Sequence, residues 1–300
     1  MQPITCVFAD DSTHSLTDLG TAHQALCASP PPFSSAALLL HTCQRVEWYA
    51  AAELIPSALA LLGQASTTGH RAALTRLAQI AAGTRSLIPG ERLIQVQVQN
   101  AAARLYPTHP IYEVSRKALT LAARARERFD LVAPVADYSD LPTLLLEERA
   151  RQPMQLLVIG GGMLARAVAA APPEGYERVV MMTRGPRKLR RLVGGLGNVT
   201  VVGGRPGLER ALDGGPYDTV IATTNLHADY QEQVRDAALG PLAGRIVDLC
   251  GTPALEERTD GYSHLYDPDV LQILADANRG LSESAAMARQ WIAENAEVRV

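Results

Sequence analysis

Near its middle the chain runs from an apolar strand, Gln155-Leu156-Leu157-Val158-Ile159, directly into Gly160-Gly161-Gly162 and then Met163-Leu164-Ala165. In the pattern Gly160-x-Gly162-x-x-Ala165, each small residue answers a separate need. Gly160 permits a tight turn, Gly162 lets a pyrophosphate approach the backbone, and Ala165 allows the following helix to pack closely on the strand. Strand-like runs near 155–159, 178–183, 198–202, 218–222 and 245–249 alternate with helical stretches. That alternation is the mark of a doubly wound parallel sheet, the Rossmann arrangement. A dinucleotide-binding domain is therefore expected over 151–265.

The tip of the second of these strands bears on the choice of dinucleotide. It reads Met181-Met182-Thr183-Arg184-Gly185-Pro186-Arg187-Lys188. A site for NAD places Asp or Glu here to bind the ribose hydroxyls. Thr183 and Arg184, followed by Arg187 and Lys188, suit a 2′-phosphate instead, so NADPH is the expected cofactor. The plainer alternative is a solvated basic helix start over 187–191.

The first half has a different texture. Residues 3–9 alternate as a strand, a helix is expected over 16–28 before Ser29-Pro30-Pro31-Pro32, and strands are expected at 37–41 and 46–52. From 55 to 148 the periodicity is helical, broken at Gly83 and at Pro89-Gly90. An amphipathic helix from about 110 to 129 carries Arg116, Lys117, Arg124, Arg126 and Arg128. A polar hinge over 147–153 closes an N-terminal α+β domain, expected at 1–150. Beyond Tyr266-Asp267-Pro268 one long helix is expected within 266–300, since Pro268 suits a first helical turn.

Cys43 falls on the short connection between the two strands at 37–41 and 46–52, two residues before Arg45. A nearby guanidinium stabilises a thiolate, and the thiolate is the form that attacks acyl carbons. A lone cysteine is otherwise most often a small buried hydrophobe, the reading given to Cys6, Cys27 and Cys250. The four cysteines show no CxxC spacing, which argues against a metal site or a disulfide framework and fits a reducing cytoplasm. A thiol nucleophile in one domain and a nicotinamide site in the next point to reduction of an activated acyl group through a thioester.

The motifs extend this reading. His41-Thr42-Cys43-Gln44-Arg45-Val46-Glu47 resembles the Ser-Thr-Cys-Asn-Arg-Thr-Glu signature of the glutamyl-tRNA reductase family. Gly83-Thr84-Arg85-Ser86-Leu87-Ile88-Pro89-Gly90-Glu91 is similar to that family's Gly-Leu-Asp-Ser-Leu-Val-Leu-Gly-Glu block, and Val247-Asp248-Leu249 to its Ile-Asp-Leu strand. Thr183-Arg184 falls where the family has Asn-Arg. The resemblance implies NADPH-dependent reduction of glutamyl-tRNA, or a related aminoacyl-tRNA, to an amino aldehyde at the start of tetrapyrrole biosynthesis. It implies Cys43 as nucleophile, Arg45 as a carboxylate ligand or thiolate partner with Thr42 beside it, Ser86 as a pocket serine, and Glu91 as a pocket or loop-bracing group. Arg76 occupies the place of a family histidine and becomes a candidate substrate ligand.

Several departures cluster around the acyl pocket. Arg85 replaces an aspartate, Leu93 replaces a glutamine, and Asp10-Asp11-Ser12-Thr13 stands for an Asn-His-Lys-Thr run. A different or broader acyl range is therefore expected. A reductase-like binding or regulatory protein, and a reductase of a thioester not made from tRNA, are the alternatives. The family's C-terminal helical dimerisation domain is expected to be missing, which leaves the oligomeric state open.

Composition bounds the partners. A formal charge of −3 gives no global attraction to nucleic acid. Contact with tRNA would need the local basic face at 110–129, which can equally be an ordinary solvated helix face, and DNA is not expected. No apolar run reaches the roughly 18 residues needed to span a bilayer, so a soluble cytoplasmic protein without membrane contact is expected.

Overall fold

A computed structural model describes residues 3–28, 35–42, 44–55, 65–131, 134, 136–146, 154–212, 217–223, 243–255 and 260–297. The chain forms two units, 1–137 together with 275–300, and 138–274. These limits differ from the expected 1–150, 151–265 and 266–300, chiefly because the C-terminal residues belong with the first unit.

The first unit is built on an antiparallel sheet. Its strands are β1 (Ile4–Asp10), β2 (Leu38–Thr42), β3 (Arg45–Ala51) and β4 (Ala65–Thr68), in the order β2-β3-β1-β4. β1 pairs β3 from Ile4↔Ala51 to Asp10↔Arg45, and β2 pairs β3 from Leu38↔Tyr49 to Thr42↔Arg45. Alternation along the strands then sends two sets of side chains to opposite faces. Ala9, Val46, Trp48 and Ala50 join Leu19, Ala22 and Leu26 of helix α1 (Leu16–Ala28) in one core. Ile4, Cys6, Leu38, Leu40 and Tyr49 pack on the other face against α2 (His70–Ala81) and α4 (Pro110–Arg128), with α3 (Leu93–Ala102) beside them. Leu74, Leu77 and Ile80 of α2 are at most 2% exposed, each contributing about 1.5–3 kcal/mol by burial.

β4 was not expected, because 55–148 reads as helical. Ala65-Ser66-Thr67-Thr68 has little apolar content, and its place is set by pairing with β1 from Thr5↔Thr68 to Phe8↔Ala65.

After α2 the chain makes the loop that carries Arg85, Ser86 and Glu91. Gly83 has φ 74°, and a Cβ there would lie 2.9 Å from the Cα of Gly90. The loop closes on itself through Gly90 N–H to the Gly83 carbonyl at 3.1 Å. Arg126 of α4 braces it, donating to the carbonyls of Ala82 and Glu91 at 3.2 Å each and of Gly90 at 2.9 Å.

The C-terminal helix is divided. α9 (Pro268–Ala277) and α10 (Leu281–Asn295) are separated at Asn278-Arg279-Gly280, where the Asn278 amide bonds both backbone groups of Ala136. Glycine and a side chain that competes for backbone partners both disfavour an uninterrupted helix. α10 buries Ala285, Ala288 and Ile292 against α2 and α4.

The second unit holds a sheet whose pairs are all parallel, in the order β10-β9-β8-β5-β6-β7. Its strands are β5 (Met154–Ile159), β6 (Tyr176–Thr183), β7 (Val199–Gly203), β8 (Tyr217–Ile221), β9 (Ala243–Asp248) and β10 (Tyr262–His264). Helices α6 (Met163–Ala170), α7 (Pro186–Val193) and α8 (Arg205–Leu212) alternate with the first strands, and α5 (Leu141–Leu146) precedes them. Leu156, Leu157, Val158 and Ile159 are at most 2% exposed, as a strand covered on both faces requires. The short β10 adds a sixth strand to the five expected. The order reverses between β5 and β8, and the crevice at such a switch point is where doubly wound sheets bind ligands.

Candidate active site

Strand register sets Thr42, Arg45 and Asp10 side by side across the end of the first sheet. Thr42 Oγ1 accepts from the backbone N–H of Gln44 at 3.3 Å and is buried. Cys43 is covalently held between these two residues, but its own placement lies outside the described residues. Arg45 is 1% exposed. Its Nη2 donates to the Arg85 carbonyl at 2.6 Å, tying the start of β3 to the Ser86 loop, and its Nη1 lies 3.5 Å from Glu47 Oε1.

Arg76 completes a buried charge cluster on the same face. It donates through Nε to Glu47 Oε2 at 3.0 Å, and through Nη2 to Glu47 Oε1 at 2.8 Å and to Asp10 Oδ2 at 2.7 Å. Its guanidinium carbon sits 3.2 Å from the centroid of the Phe8 ring. Tyr49 donates to Glu47 Oε2 at 2.6 Å, and Cys6 Sγ lies 3.9 Å from the same oxygen. Two guanidiniums and two carboxylates thus balance inside the fold, which is the condition for burying such charges.

The electrostatics follow from that packing. Burial alone would raise the Asp10 carboxyl, but hydrogen bonds from Ser12 and Thr13 and the Arg76 guanidinium lower it to about 2. Burial depresses the Arg45 and Arg76 cations most, yet the nearby carboxylates, Glu47 first and for Arg45 also Asp11, Glu91 and Asp10, together hold both above the ordinary arginine value. Burial, then Glu47, pushes the Cys6 thiol well up, so this cysteine stays protonated and belongs to the core. His41, which shares a 2.7 Å hydrogen bond with His23 of α1, is lowered by burial.

Two cavities open beside the cluster. One of about 700 Å³ is lined by Phe8, Thr68, His70, Arg76, Gln79 and Arg85 among others. The second, of about 280 Å³, has Asp11, Ser12, Thr84, Arg85, Ser86 and Arg289 on its wall. Ser86 Oγ is buried there without a hydrogen-bond partner. Arg85 lines both cavities, with Nε bonded to Gln79 Oε1 at 2.8 Å. Arg45 lines neither. Glu91 is buried at the foot of the same loop, its carbonyl held by Arg126. Sequence reasoning passed over Glu47, Asp10 and Arg289. Glu47 was legible as the residue two places from Arg45 on one strand face, whereas Arg289 carried no local signal.

The basic face of α4 is smaller than its composition implies. Arg126 is buried in the loop brace, while Arg116 and Lys117 pair with Glu113 at 2.9 and 3.5 Å. Arg124 and Arg128 remain exposed, the latter over the rings of Phe129 and Trp291.

In the second unit the glycine turn has the geometry that its residues need. Gly160 has φ 140°, and a Cβ there would meet the Ala222 carbonyl oxygen at 2.2 Å. Gly162 starts α6 with open space where its side chain would be, so its backbone is approachable by a phosphate. Ala165 is fully buried under that helix. Thr183 Oγ1 accepts from Gly185 N–H at 3.3 Å at the end of β6, and Arg184, Arg187 and Lys188 beyond it are exposed. This set fits a dinucleotide with an extra phosphate. Among the described residues, no helix is long and apolar enough to cross a membrane.

Residues 12–129 match the family described as glutamyl-tRNAGlu reductase, N-terminal domain. Protein nfe2 of Rhizobium meliloti is 29% identical over 259 residues, covering 82% of each chain. The glutamyl-tRNA reductases of Salinibacter ruber and Natronomonas pharaonis are each 26% identical, over 268 and 271 residues. Those matches cover 78% and 84% of this chain but 53% and 58% of the two relatives, so the chain spans little more than half their length. Among solved structures, glutamyl-tRNA reductase from Methanopyrus kandleri aligns over 98% of this chain and 80% of its own, at 20% identity and a TM-score of 0.42. Residues 12–129 thus match the N-terminal domain of glutamyl-tRNA reductase, and most of the chain is similar to glutamyl-tRNA reductases at 26% identity.

Proposed function

We propose that the chain is an NADPH-dependent reductase that converts an aminoacyl-tRNA, glutamyl-tRNA or a related one, to an amino aldehyde through a thioester on Cys43. The observation that carries this reading is the 2.6 Å bond from Arg45 to the Arg85 carbonyl. It joins the strand end next to Cys43 to the loop of Ser86, the two motif blocks that the chemistry requires together. The Cys43 thiolate attacks the ester carbonyl, the tRNA hydroxyl leaves with a proton, and the acyl group is held on sulfur. The chemistry a bound NADPH would supply is a hydride for that carbonyl carbon; the Cys43 sulfur would then be the leaving group as the aldehyde forms. Gly160 and Gly162 would cradle the pyrophosphate, while Arg184, Arg187 and Lys188 would meet the 2′-phosphate. Arg124 and Arg128 are the cations best placed for tRNA phosphates.

The test is a panel of charged tRNAs incubated with the protein and NADPH, with deacylation and aldehyde measured separately. Aldehyde from one or more acidic or related aminoacyl-tRNAs, dependent on Cys43, is the expected result. A second reading, a reductase-like binding protein without turnover, is favoured by the burial of Arg45, which leaves the motif arginine only 1% exposed. Tight tRNA or NADPH binding with neither deacylation nor aldehyde would decide for it.

A further inference from the structure

The larger cavity, of about 700 Å³, opens on the start of α2. Gly69 precedes that helix with φ 113°, and no side chain caps it. The N–H of Gly69 is taken by the Ile4 carbonyl at 2.8 Å, and that of Ala73 by the Gly69 carbonyl at 3.0 Å. Between them, the N–H groups of His70, Arg71 and Ala72 have no acceptor among the described residues. These residues line the cavity. An uncapped helix start presents aligned donors and a partial positive charge, the arrangement that receives a phosphate.

Side chains point to an anion independently of the helix. His70 Nε2 is buried with no hydrogen-bond partner. Arg76, 6% exposed, spends Nε and Nη2 on Glu47 and Asp10, which leaves Nη1 without a partner among the described residues on the wall of the same cavity. Arg71 is exposed, is in no ion pair among the described residues, and donates through Nη2 to the Ala293 carbonyl alone. No carboxylate stands on the described wall. A bare phosphate would leave most of about 700 Å³ empty, and that volume falls within the roughly 300–1,000 Å³ of small-ligand sites. We propose that this cavity binds a small organic phosphate ester. The phosphate sits on the N-terminus of α2 and on Arg71, with His70 Nε2–H as a further donor. The organic part lies along Phe8 and Ala72, within reach of Arg76 Nη1. Arg85, on the Ser86 loop after α2, is not needed for it, and the site is independent of the thioester chemistry on Cys43.

Heteronuclear NMR of the full chain follows the backbone amides of His70, Arg71 and Ala72 during titration with inorganic phosphate and with ribose 5-phosphate. Saturable downfield shifts at these amides are expected with both probes, and ribose 5-phosphate should bind more tightly because its sugar fills cavity that inorganic phosphate leaves open. Arg71→Glu should weaken ribose 5-phosphate at least about tenfold, since a charge-assisted contact becomes a repulsion, and Arg71→Lys should keep most of the affinity. Ala72→Asp puts a carboxylate on the first turn, where it favours the helix and repels an anion. Binding should vanish in that variant with the melting temperature unchanged or raised, a pairing that simple loss of structure does not produce. Arg184→Asp, at the strand tip of the second unit, should leave the shifts as they are. Absence of shifts at the His70, Arg71 and Ala72 amides, inorganic phosphate binding as tightly as ribose 5-phosphate, or full affinity in Arg71→Glu or Ala72→Asp would overturn the proposal. Displacement of ribose 5-phosphate from these amides by uncharged tRNA would overturn it too, by giving the same donors to a nucleic-acid backbone.

Discussion

The Arg76 guanidinium closes on the Glu47 carboxylate through two bonds, Nε to Oε2 at 3.0 Å and Nη2 to Oε1 at 2.8 Å. The paired geometry matches the planar fork of arginine to the two oxygens of a carboxylate, and no lysine reproduces it. Asp10 takes the remaining reach of Nη2, and the Phe8 ring covers the flat face. Arg76 therefore adds no free positive charge to this part of the fold. Its charge is spent on holding β1, β3 and α2 together.

Removing Arg76 should therefore cost stability first. Arg76→Ala leaves Glu47 and Asp10 buried with only Arg45 and hydroxyl partners, and the loss is expected at about 3–5 kcal/mol. Arg76→Lys should recover less than half of it. Urea unfolding followed by circular dichroism measures both, and a loss below about 1 kcal/mol for Arg76→Ala would show that the cluster is not holding the sheet to the helix.

Acid should loosen the same cluster in a defined window. Despite burial, hydrogen bonds from Ser12 and Thr13 and the Arg76 guanidinium hold the Asp10 carboxyl at about 2 in the folded chain, below the usual carboxylate range. A carboxyl depressed by folding adds stability above its unfolded value and gives it up as pH falls through the folded one. On the order of 2 kcal/mol should be lost between about pH 4 and pH 2 in the wild type and not in Asp10→Asn. Parallel stability curves for the two proteins over that range would contradict the assignment.

The sheet, the α4 helix and the parallel second unit were legible because each rests on local periodicity that its residues repeat. The charge cluster was not, because Asp10, Glu47 and Arg76 come from β1, β3 and α2, and only strand register and helix docking bring them together. Arg45 shows the limit most sharply. Its position two residues after Cys43 is visible in the chain, but the alternation that turns it inward beside Glu47 and under the Ser86 loop depends on pairing with Asp10 and Thr42. Thr67 and Thr68 formed an unmarked strand for the same reason, and Arg289 reaches the Ser86 loop only because α10 folds back onto α2.

Thioester chemistry should vanish with the sulfur. Cys43→Ser is close in volume and a far weaker nucleophile at neutral pH, so aldehyde release and acyl-enzyme formation are expected to fall to background while the melting temperature stays within a few degrees. Mass spectrometry after mixing with charged tRNA detects the acyl adduct. An acyl adduct of unchanged yield in Cys43→Ser would move the nucleophile elsewhere.

The cofactor preference should reside at the end of β6. Arg184 is exposed two residues after Met182, whose carbonyl accepts from Gly160 N–H at 2.9 Å. Arg184→Asp replaces the proposed partner of the 2′-phosphate with a repelling charge and supplies the acidic residue that ribose hydroxyls use. NADPH affinity should drop at least about tenfold, the cost of one charge-assisted contact, while NADH affinity holds or rises. Raising the salt concentration should narrow the gap for the wild type, since exposed guanidiniums are screened. Fluorescence titration of the two reduced dinucleotides reads the ratio directly. An equal loss for both would place the phosphate contact on Arg187 and Lys188 or remove it from this strand tip altogether.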